Sequence, residues 1–157
     1  MTESDSGSHG TEPTAADLLS QALDLAGPWY VERIEFVPVS TGLAVHLNFE
    51  RGGSFACAAC GKEGCKAYDT ARKSWRHLDF LGRPCHLYAH SPRVNCPDCG
   101  VRRAAVPWAR PGKRYTRAFE THVVNLVKEM PVRAVSRVVG EHDTRLWRLV
   151  NDYEPTI

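Results

Sequence analysis

Two Cys-x-x-Cys knuckles, CAAC at Cys57 to Cys60 and CPDC at Cys96 to Cys99, set the strongest limit on how this chain can fold. A glycine follows each of them, Gly61 and Gly100. A two-residue spacer lets both sulfurs of a knuckle reach one metal, and four thiolates close a tetrahedron around one Zn²⁺. The 35 residues between the knuckles can hold two or three strands, so a metal would clip two loops together at the end of a small sheet. Four thiolates leave no open position for water or substrate, and such an ion supplies folding energy, not catalysis. A redox Cys-x-x-Cys needs only one pair in a thioredoxin-like strand–helix–strand setting, which this sequence lacks.

The remaining two of the six cysteines, Cys65 and Cys85, read as buried apolar thiols, with replacement of a ligand as the alternative. His77, His86 and His90 read as surface or core residues rather than ligands. The first residues are acidic and polar, with no apolar stretch of a secretory signal, and no apolar run approaches the roughly 18 residues of a membrane span. The expectation is an intracellular, reducing compartment, where paired knuckles bind metal rather than form disulfides.

Charge is unevenly spread. Residues 1–28 carry five acids and no Lys or Arg, whereas Lys62 to Arg117 holds thirteen bases against four acids. A field of that sign attracts phosphate. Residues 1–12 are small, polar and acidic, a composition that predicts disorder. Thr14 is positioned to cap a short helix to about Leu25, with Leu18, Leu19, Ala22 and Leu23 on one side and Gly27-Pro28 ending it. Tyr30 to Val37 and Leu43 to Phe49 read as strands, with Thr41-Gly42 as the hairpin turn. A polar stretch from Lys62 to Lys73 follows the first knuckle. Ser74 to Phe80 and Pro84 to His90 are further strands around a Leu81-Gly82-Arg83 turn. Val106 to Arg114 reads as an extended basic linker.

From Tyr115 onward the period is helical. Phe119, Val123, Leu126 and Val127 mark a first helix. A second runs from Val132 to Val139 and stops at Gly140, and a third starts near Asp143-Thr144. The segment VRAVSRVVGEHDTRLWRLV fits a helix-turn-helix. Gly140 gives the turn, Ser136 is small at the crossing, and Val135, Val139, Leu146 and Leu149 point inward. Glu141 departs from the template, which favours an apolar residue there. The third helix would then enter the major groove, with Asp143, Thr144, Arg145 and Arg148 outward and Arg148 suited to guanine O6 and N7. Arg133 and Arg137 suit phosphates. Arg110, Lys113, Arg114 and Arg117 surround Pro111-Gly112, an arm of the kind that lies in a minor groove.

The order CAACG, KSWRHLDFLGRP, RVNCPDCGVRRAAVPWARPGKRYTRAFE and helix-turn-helix resembles the N-terminal part of insertion-sequence transposases of the ISL-three family, over roughly residues 29–155. The resemblance implies a four-cysteine zinc domain with Cys57, Cys60, Cys96 and Cys99 as ligands. It places Trp75 to Asp79 and Gly82-Arg83-Pro84 in the sheet between the knuckles. It also sets Arg102, Arg103 and Tyr115 to Glu120 in the stretch after the second knuckle, adding Arg102 and Arg103 to the DNA-contact candidates. Such transposases continue into a DDE catalytic domain of the RNase H type, whose three metal-binding acids lie downstream, whereas this chain stops at Ile157. The chain is therefore expected to lack catalytic residues and not to cleave DNA by itself.

The expected fold class is α+β, a small zinc-ribbon-like β domain followed by a trihelical helix-turn-helix domain. The boundaries are a flexible acidic N-terminus with a short helix (1–28), the four-cysteine β domain (29–106), a basic linker (107–114) and the helix-turn-helix (115–157). One structural Zn²⁺ is the expected cofactor. Double-stranded DNA at transposon ends is the expected partner, with a homodimer as a further partner and neither membrane nor small-molecule substrate. The setting is the bacterial cytoplasm and nucleoid. The alternative function is a zinc-ribbon interaction or dimerisation module, or a stand-alone DNA-binding regulator derived from a transposase. Glu129, Glu141, Asp143 and Asp152 read as surface acids of amphipathic helices rather than as an active site.

Overall fold

A computed structural model describes residues 10–39 and 42–153. Most of residues 1–12, for which disorder is expected, and Thr41 of the expected hairpin turn lie outside them. The chain opens with α1 (Ala15–Ala22), capped by a reciprocal box: Asp17 N–H donates to Thr14 Oγ1 and Thr14 N–H donates to the Asp17 carboxylate. The face that packs carries Ala16, Leu19 and Leu23, with Leu25 following, while Leu18 is 54% exposed. Of the expected side, Leu19 and Leu23 pack, whereas Leu18 and Ala22 are exposed. The spacing of positions 16, 19 and 23 matches a helical stripe better than consecutive leucines do. Ser20 Oγ accepts the Val31 N–H at 3.1 Å and ties the helix to the sheet.

The sheet has β1 (Trp29–Val37), β2 (Gly42–Phe49), β3 (Ser54–Phe55), β4 (Cys65–Phe80), β5 (Arg83–Cys96) and β6 (Gly100–Arg103). Their order is β1-β2-β5-β4-β3, with β6 also on β5. β1 and β2 are antiparallel, as the expected hairpin requires, but β2 runs parallel to β5. The long β4/β5 hairpin is its main feature. β4 begins at Cys65, so most of the polar stretch from Lys62 to Lys73, to which the sequence assigns no strand, is strand. Residues 66–72 are exposed, which removes the apolar alternation that marks a strand in sequence. Backbone pairing of Ala67 to Lys73 with β5 holds it instead.

Aromatic rings centre the sheet's core. Trp108 packs edge-on against Trp29 (4.7 Å between centroids) and Trp75 (5.2 Å), and Trp29 also meets Phe49 and Phe55. Trp108 and Ala109 are buried here, so the expected linker is not a solvated tether over its first residues. Burying an indole against two other tryptophans overrides the Pro/Gly-rich, basic composition around it.

Three helices close the chain: α2 (Arg117–Glu129), α3 (Val132–Val139) and α4 (Asp143–Asp152). They share a second core of Phe119, Val123, Val132, Val135, Val139, Leu146 and Leu149, which includes all four inward residues expected of the helix-turn-helix segment. Thr116 caps α2 through Phe119 N–H. Gly140 ends α3 with φ of 72°, a left-handed conformation that favours glycine, and its N–H donates to Ser136 O. Ser136 Oγ in turn donates to Glu141 O at 2.6 Å. α4 starts at Asp143, as expected, and the preceding His142 caps it, with its Nδ1 accepting Thr144 N–H.

Backbone hydrogen bonds seam the two cores together. Arg76 N–H donates to Arg114 O at 2.8 Å and Thr116 N–H to Arg76 O at 3.0 Å, while Arg117 N–H reaches Trp108 O. Residues 114–116 thus add a one-residue bridge beside β4. The helices are anchored to the sheet by main chain on both sides of Arg76.

Candidate metal centre and nucleic-acid interface

The first knuckle follows β3. Cys57 N–H donates to Lys62 O and Gly61 N–H returns to Cys57 O at 2.8 Å, a tight loop that aims both sulfurs inward. Gly61 and Gly100 have φ of 78° and 77°, so each knuckle closes through a left-handed glycine. The second knuckle is the β5/β6 turn, with Cys96 opposite Gly100. Ala58 N–H donates to Arg103 O and Ala105 N–H to Ala56 O, which brings together two loops far apart in the chain. Cys57, Cys60, Cys96 and Cys99 place their sulfurs within 4.8 Å of one another. Cys60 Sγ and Cys96 Sγ are 3.6 Å apart, close to the ~3.8 Å edge of a tetrahedron with Zn–S bonds of ~2.3 Å.

The electrostatics suit a cation as well. The Asp98 N–H directed at Cys96, helped by Cys99 N–H, brings the Cys96 thiol down to about 7. Hydrogen bonding to Cys60, then burial, push Cys99 up to about 12. Adjacent thiols oppose each other's ionisation, and a dication between them removes that conflict. Cys65 and Cys85 are buried outside the cluster, as expected of apolar thiols, and burial pushes Cys85 up to about 11. No histidine among the described residues joins the cluster.

The candidate DNA-contacting residues divide into exposed and engaged groups. Arg102, Arg103, Arg114, Arg117, Arg133, Arg137, Thr144, Arg145 and Arg148 are exposed. Arg110 is engaged within the chain: it pairs with the buried Glu120 and donates to Asp152 O at 2.9 Å. Lys113 pairs with Asp152, and that hydrogen bond holds the Asp152 carboxyl below its usual range. The segment is a strap clamped onto α2 and α4, and the basic composition that reads as an arm is partly taken up by these clamps.

Arg114, Arg145 and Arg148 line one cleft of about 660 Å³, together with Arg76, Tyr115 and Glu141. Leu146 and Leu149 face the core on the same helix, and Trp147 is 52% exposed. Arg76 and Glu141, to which the sequence assigns no joint role, face each other under this cleft. The motif WRHLD carries Arg76, but only the three-dimensional fold shows what it meets. Arg72 and Lys73, which read in sequence as part of a polar stretch, line a neighbouring cleft.

The fold and its sulfur cluster define a sheet-rich, zinc-ribbon-like unit with a candidate metal site, followed by three packed helices. The chain belongs to transposase family ISL3, as an N-terminal zinc-ribbon and helix-turn-helix region. Residues 54–99 match the zinc-finger of transposase IS204/IS1001/IS1096/IS1165, and residues 104–154 match the helix-turn-helix domain of transposase family ISL3. The chain is 35% identical over 129 residues to the transposase for insertion sequence element IS1557 of Mycobacterium tuberculosis, in both strains CDC 1551 / Oshkosh and ATCC 25618 / H37Rv. That similarity covers 74% of this chain and 29% of the relative, so the chain spans under a third of the curated relatives it matches. No solved structure matches it. Among the described residues, no helix is long and apolar enough to cross a membrane.

Proposed function

We propose that this chain is the DNA-end recognition region of an insertion-sequence transposase, reading the terminal inverted repeats of a mobile element in the bacterial cytoplasm. α3 and α4 act as the helix-turn-helix, and α4 is the recognition helix. Thr144, Arg145 and Arg148 face base edges, and Arg148 takes guanine O6 and N7 with its two-pronged donor. Arg133, Arg137, Arg114 and Arg117 contact phosphates, which fix register without reading sequence. One structural Zn²⁺ on Cys57, Cys60, Cys96 and Cys99 holds the knuckles closed. Strand cleavage and joining belong to a DDE domain outside these residues.

The observation that carries this reading is the two-sidedness of α4. Leu146 is wholly buried and Leu149 nearly so, while Thr144, Arg145 and Arg148 stand exposed, and both arginines line a cleft with Arg114. Binding to a duplex carrying the element's terminal repeat, compared with a scrambled duplex at physiological salt, tests it. The repeat is expected to bind at least about tenfold tighter, a conservative bound for specific over non-specific DNA. Equal affinity would end the sequence-recognition reading.

A further inference from the structure

Beside the cleft under α4 lies a second one, of about 470 Å³. Three separate parts of the chain build its basic wall: Arg72 and Lys73 of β4, Arg103 of β6, and Arg110, Lys113 and Arg114 of the strap. No carboxylate among the described residues lines it. Elsewhere in the same half of the chain some exposed cations meet acids, Arg33 with Glu35, Lys62 with Asp98 and Arg93 with Asp69, while Lys66 and Arg102 bond backbone carbonyls. Here Arg110 and Lys113 are met by Glu120 and Asp152, which lie outside the cleft. Among the described residues, no carboxylate pairs with Arg72, Lys73, Arg103 or Arg114.

The crowding is felt by Lys73, whose ammonium is held below the ordinary lysine value first by burial and then by the charge of Arg103. Like charges gathered in a half-enclosed cleft repel one another, and an anion that enters relieves the repulsion. Arg103 is placed there by the metal centre, because its carbonyl accepts the Ala58 N–H inside the first knuckle at 3.0 Å. The two clefts share Ser74, Gly112, Lys113 and Arg114. The carboxylate-free cleft therefore continues the surface that carries Arg145 and Arg148. Cations strung over three elements fit an extended polyanion better than one compact phosphate.

The geometry points to a second, sequence-independent DNA-backbone site on the zinc domain: the duplex engaged by α4 runs on into the cleft between β4, β6 and the strap, where Arg72, Lys73 and Arg103 neutralise its phosphates. The site rests on the DNA-binding reading above, but not on any base preference of α4. It gives the zinc centre a task beyond stability, since the knuckle fixes the strand that carries Arg103.

The test uses the full, zinc-loaded chain and a fluorescent duplex of random sequence, about 30 base pairs long, titrated across a salt series. The variant R72A/K73A/R103A is expected to bind about ten- to hundredfold more weakly at ~100 mM salt, with the log–log salt slope reduced by about 2 to 3, from ~0.9 for each phosphate left unneutralised. The charge-keeping variant R72K/K73R/R103K retains the slope. The ratio of affinities for terminal-repeat and scrambled duplexes stays at its wild-type value, because the same phosphates go unneutralised in both. Should the triple alanine variant lose zinc, K73A alone decides, with a slope reduction of about 1. Wild-type affinity and slope in the deciding variant would overturn the site, whatever α4 reads. So would failure of the wild-type chain to bind random duplex at low salt, or tighter binding to an RNA duplex of equal length. A wild-type chain with a steep slope but no preference for the repeat would instead sink the inverted-repeat reading and leave this site standing.

Discussion

Arg76 of β4 and Glu141 of the α3–α4 turn meet across the seam between sheet and helices, with Nε 3.8 Å from Oε1. Their side chains are only 7% and 13% exposed. Arg76 also donates to Asp79 at 2.7 Å and to Val139 O, the carbonyl at the end of α3, at 2.9 Å. Its guanidinium lies 5.3 Å from the centroid of the Phe119 ring. Glu141 in turn accepts from Tyr115 Oη at 3.3 Å and pairs with Arg145 at 3.5 Å. The carboxylate therefore occupies a position where helix-turn-helix templates favour an apolar side chain, because a guanidinium reaches it from the sheet. The same carboxylate touches Arg145 of the proposed recognition helix, so the sheet helps to orient the residues that would face DNA.

Removing one member of this pair should hurt more than removing both. Arg76→Ala leaves Glu141 half-buried without its partner from the sheet, and is expected to cost about 3 kcal/mol of unfolding free energy. The double variant R76M/E141L replaces the pair with apolar volume and should recover most of that loss. Denaturant unfolding of the two single variants and the double one gives the coupling. Additive losses would show that the two residues do not act as a pair.

The metal centre should hold the sheet more firmly than the helices. Elemental analysis of the purified chain is expected to find about one Zn²⁺ per molecule. Chelation, or Cys96→Ser, should release amide protection in β5, β6 and the first knuckle. Protection of α2 to α4 should persist longer, because their core of Phe119, Val123, Val135 and Leu146 contains no ligand. Hydrogen exchange of the zinc-loaded and chelated chains reads this directly. Loss of zinc without loss of protection around Cys57 and Cys96 would show the ion to be dispensable for the fold.

The cluster of Cys57, Cys60, Cys96 and Cys99 is legible in the sequence because its signal is one-dimensional: two residues between sulfurs, twice, each pair followed by glycine. α3 is legible for the same kind of reason, with Val132, Val135 and Val139 on one stripe and Gly140 where a left-handed residue ends it cleanly. The start of β4 is not. Its exposed residues 66–72 show no alternation, and only pairing with β5 makes them a strand. The parallel pairing of β2 with β5 joins segments distant in sequence and leaves no local mark. The strap reads as an extended linker because Pro111, Gly112 and four bases have a linker's composition. Trp108 burial and the acids Glu120 and Asp152 fix it, and both are long-range facts. The sequence counts Arg72 and Lys73 among its thirteen clustered bases but does not place them beside Arg103, because that placement depends on the pairing of β4.

Base and backbone contacts should separate by mutation. Arg148→Ala is expected to cost about 1 to 3 kcal/mol on the terminal repeat and to relax preference at one base position. Arg133→Ala with Arg137→Ala should weaken all duplexes alike and lower the salt slope by about 1 for each phosphate no longer neutralised. Competition binding with single-base variants of the repeat distinguishes the two. An Arg148→Ala chain with unchanged base preference would move recognition off α4.

Acid should weaken the seam through His77 and His86. Burial first, then the charge of Arg76, lowers the pKa of both rings from the ordinary 6.5. His77 sits with Nδ1 2.8 Å from Thr116 Oγ1, the oxygen that also accepts Phe119 N–H to cap α2. With the ring neutral, Nδ1 accepts the hydroxyl proton and both bonds are made; a protonated ring competes for the same oxygen. Glu141 opposes the shift at His86, though more weakly than burial and Arg76. Because the folded values lie below the unfolded 6.5, the unfolded chain binds protons first as pH falls. Stability is then unaffected above about 6.5 and declines below it, until pH passes the lowered folded values. Acid also protonates the thiolates, so the informative quantity is the difference between wild type and His77→Gln, whose side chain can still bond Thr116. Thermal unfolding from neutral pH to about 5 should show a shallower decline in His77→Gln than in wild type. Parallel curves for the two proteins would mean that His77 titrates normally and that the α2 cap does not depend on its charge.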